Sequence, residues 1–240
     1  TLSASTAITW TGGSTVPGVV VVNDGTISAS SRGIDTAGSF ATGSFTLTKS
    51  ATGKIVAGND AFRINTNIAA GTVRVDNSGM LVSGALDASG HLIAGASGQA
   101  LDFAAITSST AKIEIDNRAG AFIGASNDDA IRPGSGTIGI VNAGTIDATL
   151  STNRAINLKS GGSLADIVSF SLTNESSGVI QSQYDAVRIT ASSLPLTATG
   201  AFTVDNSGTI RTTGINGSGG QAIDFADRVS QSASVTITNR

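Results

Sequence analysis

The chain repeats one short sequence motif along its length: a segment of alternating apolar residues, an Asn, a turn with Gly and a second short apolar segment. Clear copies are FTVDNSGTI at 202–210 and IGIVNAGTI at 138–146. The marker Asn recurs after 32 residues from Asn142 to Asn174, and after 32 more at Asn206. A near-fixed period of about 30 residues predicts a solenoid, in which each repeat forms one coil that packs on its neighbours.

Each repeat contains three segments with the pattern of a short strand. The first segment alternates apolar and other residues and ends at the Asn, and the second segment follows the Gly. The third segment has the pattern Ala, apolar, polar, apolar, as in AFRI at 61–64 and AIDF at 222–225. Residues two apart in a strand point to one side, so each strand places two apolar side chains inside. The sequence therefore predicts an all-β fold, a single-stranded parallel β-helix of about eight coils with three short strands per coil. Parallel crossovers favour the right hand, so we expect a right-handed helix.

Composition fits one domain over residues 1–240, with the repeats over 18–240. The 30 Gly, three Pro and 4% aromatic residues favour strands and tight turns over helices. The absence of Cys excludes disulfides and thiolate sites. A net charge of -3 without a basic stripe argues against nucleic acid as a partner. Because the chain begins without Met and stops within a repeat, we expect it to be a portion of a longer protein.

Asparagine recurs at the corner after the first strand, where Lys49 replaces it in one repeat. A corner residue near left-handed backbone angles tolerates Asn, and stacked amides can donate and accept along a column. We expect this column to be structural and to bind no ligand. Its members are Asn23, Asn77, Asn117, Asn142, Asn174, Asn206 and Asn239.

The outward residue of the third strand alternates in charge through the first repeats. Like charges at coil spacing repel, so alternation specifies the register in which coils stack, at about 0.2 to 1 kcal/mol per exposed pair. A charge track that binds substrate is the alternative. The row consists of Asp35, Arg63, Asp102, Arg132, Asn157, Arg188 and Asp224.

The outward position of the second strand carries three consecutive apolar residues, which the sequence assigns to Val56, Val82 and Ile123. Monomeric proteins rarely expose contiguous apolar area. The stripe is therefore either covered by neighbouring segments or a contact patch, and it is the binding site that the sequence predicts.

One repeat is longer than the others, with 40 residues between its marker asparagines. The surplus, an inserted segment at 83–98, contains His91, Leu92 and Ile93 and is a candidate functional loop. A lone His without Cys or clustered carboxylates is a poor metal ligand or catalytic base. We expect an exposed loop histidine, no metal site and no cofactor.

Carboxylate pairs supply an enzymatic alternative. Asp76 is predicted to stack on Asp116, and Asp128 precedes Asp129 at a corner. β-Helical polysaccharide lyases use clustered acidic residues for calcium and a basic residue as proton acceptor. No three carboxylates fall at convergent positions, so the sequence identifies no catalytic residue. A lyase or hydrolase acting on acidic glycans with calcium is the second hypothesis.

Repeats of the VDNSGTI…QAIDF kind resemble the passenger regions of bacterial autotransporters, outer-membrane proteins whose secreted part is a right-handed parallel β-helix. The resemblance covers the chain from about Val19 onward. It implies export to the cell surface or secretion, with membrane anchoring only through a C-terminal β-barrel that these 240 residues lack. The Gly-Asp-Ser-Gly-Ser protease motif of some passengers does not occur here.

These observations predict a non-catalytic, adhesin-like stalk at the cell surface or in the secreted fraction. Its expected partners are host or bacterial surface glycans or proteins, or a second copy of the chain, in virulence or biofilm formation.

Overall fold

The structure is a computed structural model. It describes residues 1–11, 18–38, 40–95, 98–150, 152–158, 167–188, 201–214, 220–225 and 234–240. These residues form 27 strands, β1 to β27 in chain order. No helix in the described part of the chain is long and apolar enough to cross a membrane.

Three parallel sheets surround the interior, and the chain visits them in turn. The first sheet contains β3 (Val19–Asn23), β7 (Phe45–Lys49), β10 (Ile68–Asn77), β15 (Ala111–Asn117), β18 (Gly136–Asn142), β21 (Ile167–Asn174), β24 (Ala201–Asn206) and β27 (Ser234–Asn239), with β6 (Phe40–Thr42) paired to β10. The second contains β1 (Leu2–Ala4), β4 (Thr26–Ala29), β8 (Lys54–Ala57), β11 (Met80–Ser83), β16 (Phe122–Ala125), β19 (Thr145–Ala148), β22 (Val179–Ser182) and β25 (Thr209–Thr212). The third contains β2 (Ile8–Trp10), β5 (Ile34–Thr36), β9 (Phe62–Ile64), β14 (Leu101–Asp102), β17 (Ile131–Arg132), β20 (Ile156–Asn157), β23 (Val187–Arg188) and β26 (Ile223–Asp224).

Each strand of these sheets pairs with its counterpart one coil later. Asn77 in β10 lies opposite Asn117 in β15, which lies opposite Asn142 in β18. This arrangement confirms the prediction of a parallel β-helix with three strands per coil and about eight coils. Strands β1 and β2 also pair in register with β4 and β5, so the stack extends to Leu2, ahead of the repeat boundary predicted at residue 18.

The interior is a continuous apolar column built from the inward side chains of all three sheets. Ile113 and Ile138 stack in the first sheet with 0% and 1% exposure. The ring of Phe62 lies 4.8 Å from that of Phe45 and 5.0 Å from that of Phe103, which ties the first sheet to the third. Burial of each such side chain contributes about 1.5 to 3 kcal/mol, so the core supplies most of the stability.

Glycine is required at several corners because neighbouring coils approach closely there. A Cβ atom on Gly144 would lie 2.4 Å from the carbonyl oxygen of Ala121, and one on Gly178 would lie 2.4 Å from the carbonyl oxygen of Asn142. No described residue other than glycine has a positive φ. The prediction that the column asparagines adopt left-handed backbone angles is therefore wrong. Their amide groups, rather than their backbone angles, explain why Asn recurs.

The inserted segment forms an antiparallel hairpin of β12 (Ala85–Leu86) and β13 (Leu92–Ile93), directly after β11. It folds back on the coil, because Cδ1 of Leu92 lies within 3.4 Å of the position that a Cβ on Gly84 would take. Residues 96 and 97 of this segment lie outside the described residues.

Candidate functional site

The predicted asparagine column is present in the structure and is a chain of side-chain hydrogen bonds. From Asn77 to Asn239, Nδ2 of each member donates to Oδ1 of the next at 2.7 to 2.8 Å. Each central member also donates to a corner carbonyl, as Asn174 does to Gly178 at 3.2 Å. Both the nitrogen and the oxygen of each central amide are therefore used within the scaffold, as expected for buried polar groups.

Lys49 occupies the column between Asn23 and Asn77 and is 1% exposed. Its Nζ donates to the carbonyl of Gly53 at 2.6 Å. That carbonyl is four residues further along the chain, as Gly178 is from Asn174, so the lysine serves the same corner as an amide would. Burial lowers the pKa of Lys49 from 10.5 to about 8.

The charge row of the third sheet stacks in the predicted register, but it is not fully exposed. Arg63 donates to Asp35 at 2.9 and 3.1 Å, and Nε of Arg188 lies 3.4 Å from Asp224. Asp35 is 9% exposed and Asn157 is 2% exposed. The expectation that this row faces water holds only in part, because Asp35 and Asn157 are buried and the other five members are half-buried.

Other members of the row have different surroundings. Arg132 does not bond to Asp102 and instead donates to Asp128 and Asp129 of its own coil, each at 2.7 Å. Asp102 accepts a hydrogen bond from the backbone of Ala104, and burial raises its pKa. The row consequently supplies no continuous charged track on the surface.

A second, buried row of carboxylates lies beside the charge row and was missed in the sequence. Asp129 and Asp185 are 0% exposed and Asp60 is 3% exposed. Oδ1 of each carboxylate accepts a hydrogen bond at 3.0 Å from a backbone N–H of the next coil. The donor is Gln99 for Asp60, Arg154 for Asp129 and Gln221 for Asp185. The signal was available, because each carboxylate opens the motif Asp, Ala, apolar, Arg, as in DAFR, DAIR and DAVR.

The apolar stripe predicted as the binding site is not an exposed patch. Val82 and Ile123 are both 0% exposed, and Val56 is half-buried. Ile123 lies in the core, opposite Leu81, and the row actually continues from Val82 to Gly124. The assignment of Ile123 to the outer face is wrong by one residue: Ile123 takes the inward position of Leu81, and Gly124 takes the outward position of Val82.

Gly124 explains part of this burial. A Cβ on Gly124 would lie 2.3 Å from Cε1 of Phe122, so the aromatic ring occupies the space next to Val82. Of the two alternatives for the stripe, the structure agrees with covered packing.

The hairpin places its polar tip in solvent. The side chain of His91 is 79% exposed, and Nδ1 lies 3.5 Å from Oδ2 of Asp87. Asp87 organises the turn by accepting the backbone N–H groups of Ser89 and His91 at 2.8 and 2.9 Å. Leu92 is half-buried and Ile93 is 41% exposed. The contacts of His91 are therefore those of an exposed turn residue.

Both predicted carboxylate pairs surround an arginine. Asp76 lies opposite Asp116, and Arg118 donates to Asp76 at 2.5 and 2.8 Å and lies 3.3 Å from Asp116. The hydrogen bond from Arg118 lowers the pKa of Asp76. Asp128 and Asp129 bind Arg132. Within the described ranges, no group of three or more His, Asp or Glu could hold a metal ion.

The outer face of the first sheet concentrates charge on β10 and β15. Nη1 of Arg74 donates to Glu114 at 3.0 Å, and Nζ of Lys112 lies 2.5 Å from the same carboxylate. The hydrogen bond from Lys112 lowers the pKa of Glu114. Cations and anions are equal in number, so the cluster has no net charge. We define this outer-face cluster as Arg74, Asp76, Lys112, Glu114, Asp116 and Arg118.

A cleft of about 260 Å³ opens beside this cluster. It forms because Gly139 takes the outward position of β18 between Glu114 and Ser171, where a side chain would otherwise stand. Val141 supplies an apolar wall and is 38% exposed. We call this space the Gly139 cleft, lined by Arg74, Glu114, Asp116, Gly139 and Val141 together with Val75 and Ile115.

No steric constraint requires glycine at position 139. A Cβ there would meet no atom within 4 Å, whereas one on Gly144 would collide at 2.4 Å. Glycine within a strand costs about 0.5 to 1 kcal/mol relative to Ala and often marks close approach of a ligand or another backbone. Sequence reasoning missed this site, although the lone Gly in the alternating segment TIGIVN was its signal.

A scan against protein-family models and searches of curated proteins and of solved structures returned no match. The fold therefore rests on strand pairing in the structure itself, and the autotransporter resemblance remains a hypothesis.

Proposed function

We propose that the chain is a non-catalytic β-helical stalk that presents a binding face, as in the passenger region of an autotransporter at the cell surface or in the secreted fraction. The observation that carries this proposal is the Gly139 cleft. It is a depression on the wall of the solenoid, beside a dense polar cluster, at a glycine that packing does not require.

The rest of the polar surface supports a scaffold. The column asparagines bond to one another along the stack, and the buried carboxylates accept backbone N–H groups of the next coil. Buried groups whose hydrogen bonds are used within the scaffold are not available to recognise a partner. Binding is thus concentrated on the outer face of the first sheet.

An adhesion assay tests the proposal. Beads coated with the 240-residue chain are incubated with bacteria and with epithelial cells, and attachment and bead aggregation are counted. Gly139→Val fills the cleft and should reduce attachment or aggregation at least tenfold. Gly25→Val is the matched control, because a Cβ on Gly25 also meets nothing within 4 Å.

Two results would refute the proposal: coated beads that neither attach nor aggregate, or equal attachment of the wild type and Gly139→Val. The enzymatic hypothesis is tested in parallel by incubating the chain with acidic polysaccharides and calcium. Release of new reducing ends or unsaturated products would refute the proposal of a non-catalytic stalk and support the enzymatic hypothesis.

A further inference from the structure

We infer that the Gly139 cleft binds a neutral saccharide, with one sugar ring seated over Gly139. This inference rests on the proposed function and specifies the ligand of the same face. Four features carry it: the charge balance of the outer-face cluster, the types of hydrogen-bonding group in the cleft, the paired state of the sheet backbone and the spacing of the coils.

The charge balance selects against charged ligands. Arg74, Lys112 and Arg118 are each within 3.3 Å of a carboxylate of the cluster, so no cation is left over for an acidic sugar. Glu114 and Asp116 themselves line the cleft and would repel a carboxylate or sulfate. A cationic ligand would have to compete with the arginines and the lysine already present.

The groups in the cleft match the surface of a sugar ring. Ionised Glu114 and Asp116 only accept hydrogen bonds, and Arg74 only donates them, so hydroxyl groups, which do both, can bond to either kind. Val141 offers an apolar surface to the C–H face of a ring. Hydroxyl side chains continue along the stack, with Ser171 following Gly139 in the ladder.

An extended peptide fits less well. Peptides often bind sheets by adding a strand to an open edge. The cleft lies on the face of the first sheet, where β18 is paired on one side with β15 and on the other with β21. Its backbone N–H and C=O groups are already used, so recognition depends on side chains.

The coil spacing also suits a saccharide chain. Equivalent positions in neighbouring coils are about 4.8 Å apart, which is comparable to the length of one sugar unit in an extended glycan. A linear glycan aligned with the solenoid axis would therefore place successive rings against successive coils, with the ring at β18 in the cleft.

Binding can be measured with purified chain by titrating neutral oligosaccharides, namely glucan, mannan and galactan pentamers, against trigalacturonate and a heparin hexasaccharide. We expect at least one neutral pentamer to shift the amide resonances of Gly139 and Val141. Its affinity should be unchanged by 0.5 M salt, about tenfold lower in Gly139→Val and unaffected in Gly25→Val. Because valine favours strands, Gly139→Val should unfold at a higher denaturant concentration than wild type, which excludes loss of folding as the cause.

The outcomes separate this inference from the proposed function. If Gly139→Val abolishes attachment but no saccharide binds, the cleft holds another ligand and the inference is false while the binding face stands. Salt-sensitive preference for trigalacturonate or heparin would contradict the charge argument. Saccharide binding that Gly139→Val leaves intact would place the site elsewhere, and absence of both attachment and saccharide binding would remove both proposals.

Discussion

Lys49 shows how a single residue can depart from the repeat without breaking it. It reaches the corner carbonyl that an amide would reach, but it cannot accept a hydrogen bond from Asn23. The asparagine chain therefore begins at Asn77. Keeping the amine buried favours its neutral form, which is why its pKa falls to about 8.

Lys49→Asn should stabilise the protein at pH 7, by about 1 to 3 kcal/mol, because the amide column becomes continuous and no charge is buried. The folded pKa of Lys49 is about 8 and the unfolded value is 10.5. The unfolded state therefore binds more protons between these values, and the free energy of unfolding of the wild type rises with pH over this window, by about 3 kcal/mol in total.

Urea unfolding from pH 7 to pH 10.5 measures this effect. The difference between wild type and Lys49→Asn should shrink as the pH rises. Lys54→Asn, which changes an exposed lysine in the next strand, should keep the wild-type dependence. Parallel pH profiles for wild type and Lys49→Asn would contradict the prediction.

At the scale of single elements, the third sheet depends on polar contacts more than its short strands suggest. Strands β17 and β20 contribute two residues each, and the carboxylate of Asp129 joins them. It accepts from the backbone of Arg154, from Nε of Arg132 and from Nδ2 of Asn157, at 2.7 to 3.0 Å. One buried carboxylate thus holds two coils together.

Asp129→Asn should destabilise the protein by about 3 to 5 kcal/mol, because the new amide turns a donor toward groups that also donate and leaves Arg132 without its buried anion. Asp128→Asn is the control, since that side chain is 27% exposed and its loss should cost less than about 1 kcal/mol. Denaturant unfolding of both variants gives the comparison. Equal losses of unfolding free energy in the two variants would show that the buried carboxylate of Asp129 contributes no more to stability than the exposed one of Asp128.

For the whole molecule, the charge row and the buried row together specify which coils can be neighbours. Deleting residues 143–174 removes one coil and places Arg132 beside Arg188 and buried Asp129 beside Asp185. Repulsion between two buried carboxylates in adjacent coils is expected to cost at least about 2 kcal/mol, or to force one of them to bind a proton.

Deleting residues 118–174 removes two coils and creates the same junction to Glu175, but it places Asp102 beside Arg188 and Gln99 beside Asp185. These contacts match those of the native stack, in which Asp102 lies beside Arg132 and Gln99 lies one coil before Asp129. Length alone predicts that the two-coil deletion, which is the shorter protein, is less stable than the one-coil deletion. We expect instead that the two-coil deletion is the more stable of the two in urea unfolding followed by circular dichroism. A one-coil deletion that is the more stable of the two would show that the rows do not specify register.

Much of the fold could be predicted from sequence because periods of two residues and of about 30 residues are both local properties of the chain. The same reasoning failed at Ile123, because an error of one residue along a strand exchanges the inner face for the outer face. It also failed for the backbone angles of the column asparagines, because the close approach of coils that selects glycine becomes visible only once coils are stacked.

By itself the sequence determined the three sheets, the stacking of equivalent residues and the asparagine column, since each follows from alternation and repetition along the chain. Only the tertiary structure decided that Asp129 is buried under three donors and that Gly139 leaves a cleft beside a neutral cluster. The reason is physical. Such features arise from side chains about 25 to 40 residues apart that meet only across neighbouring coils, and their sizes and charges have no common pattern in one strand.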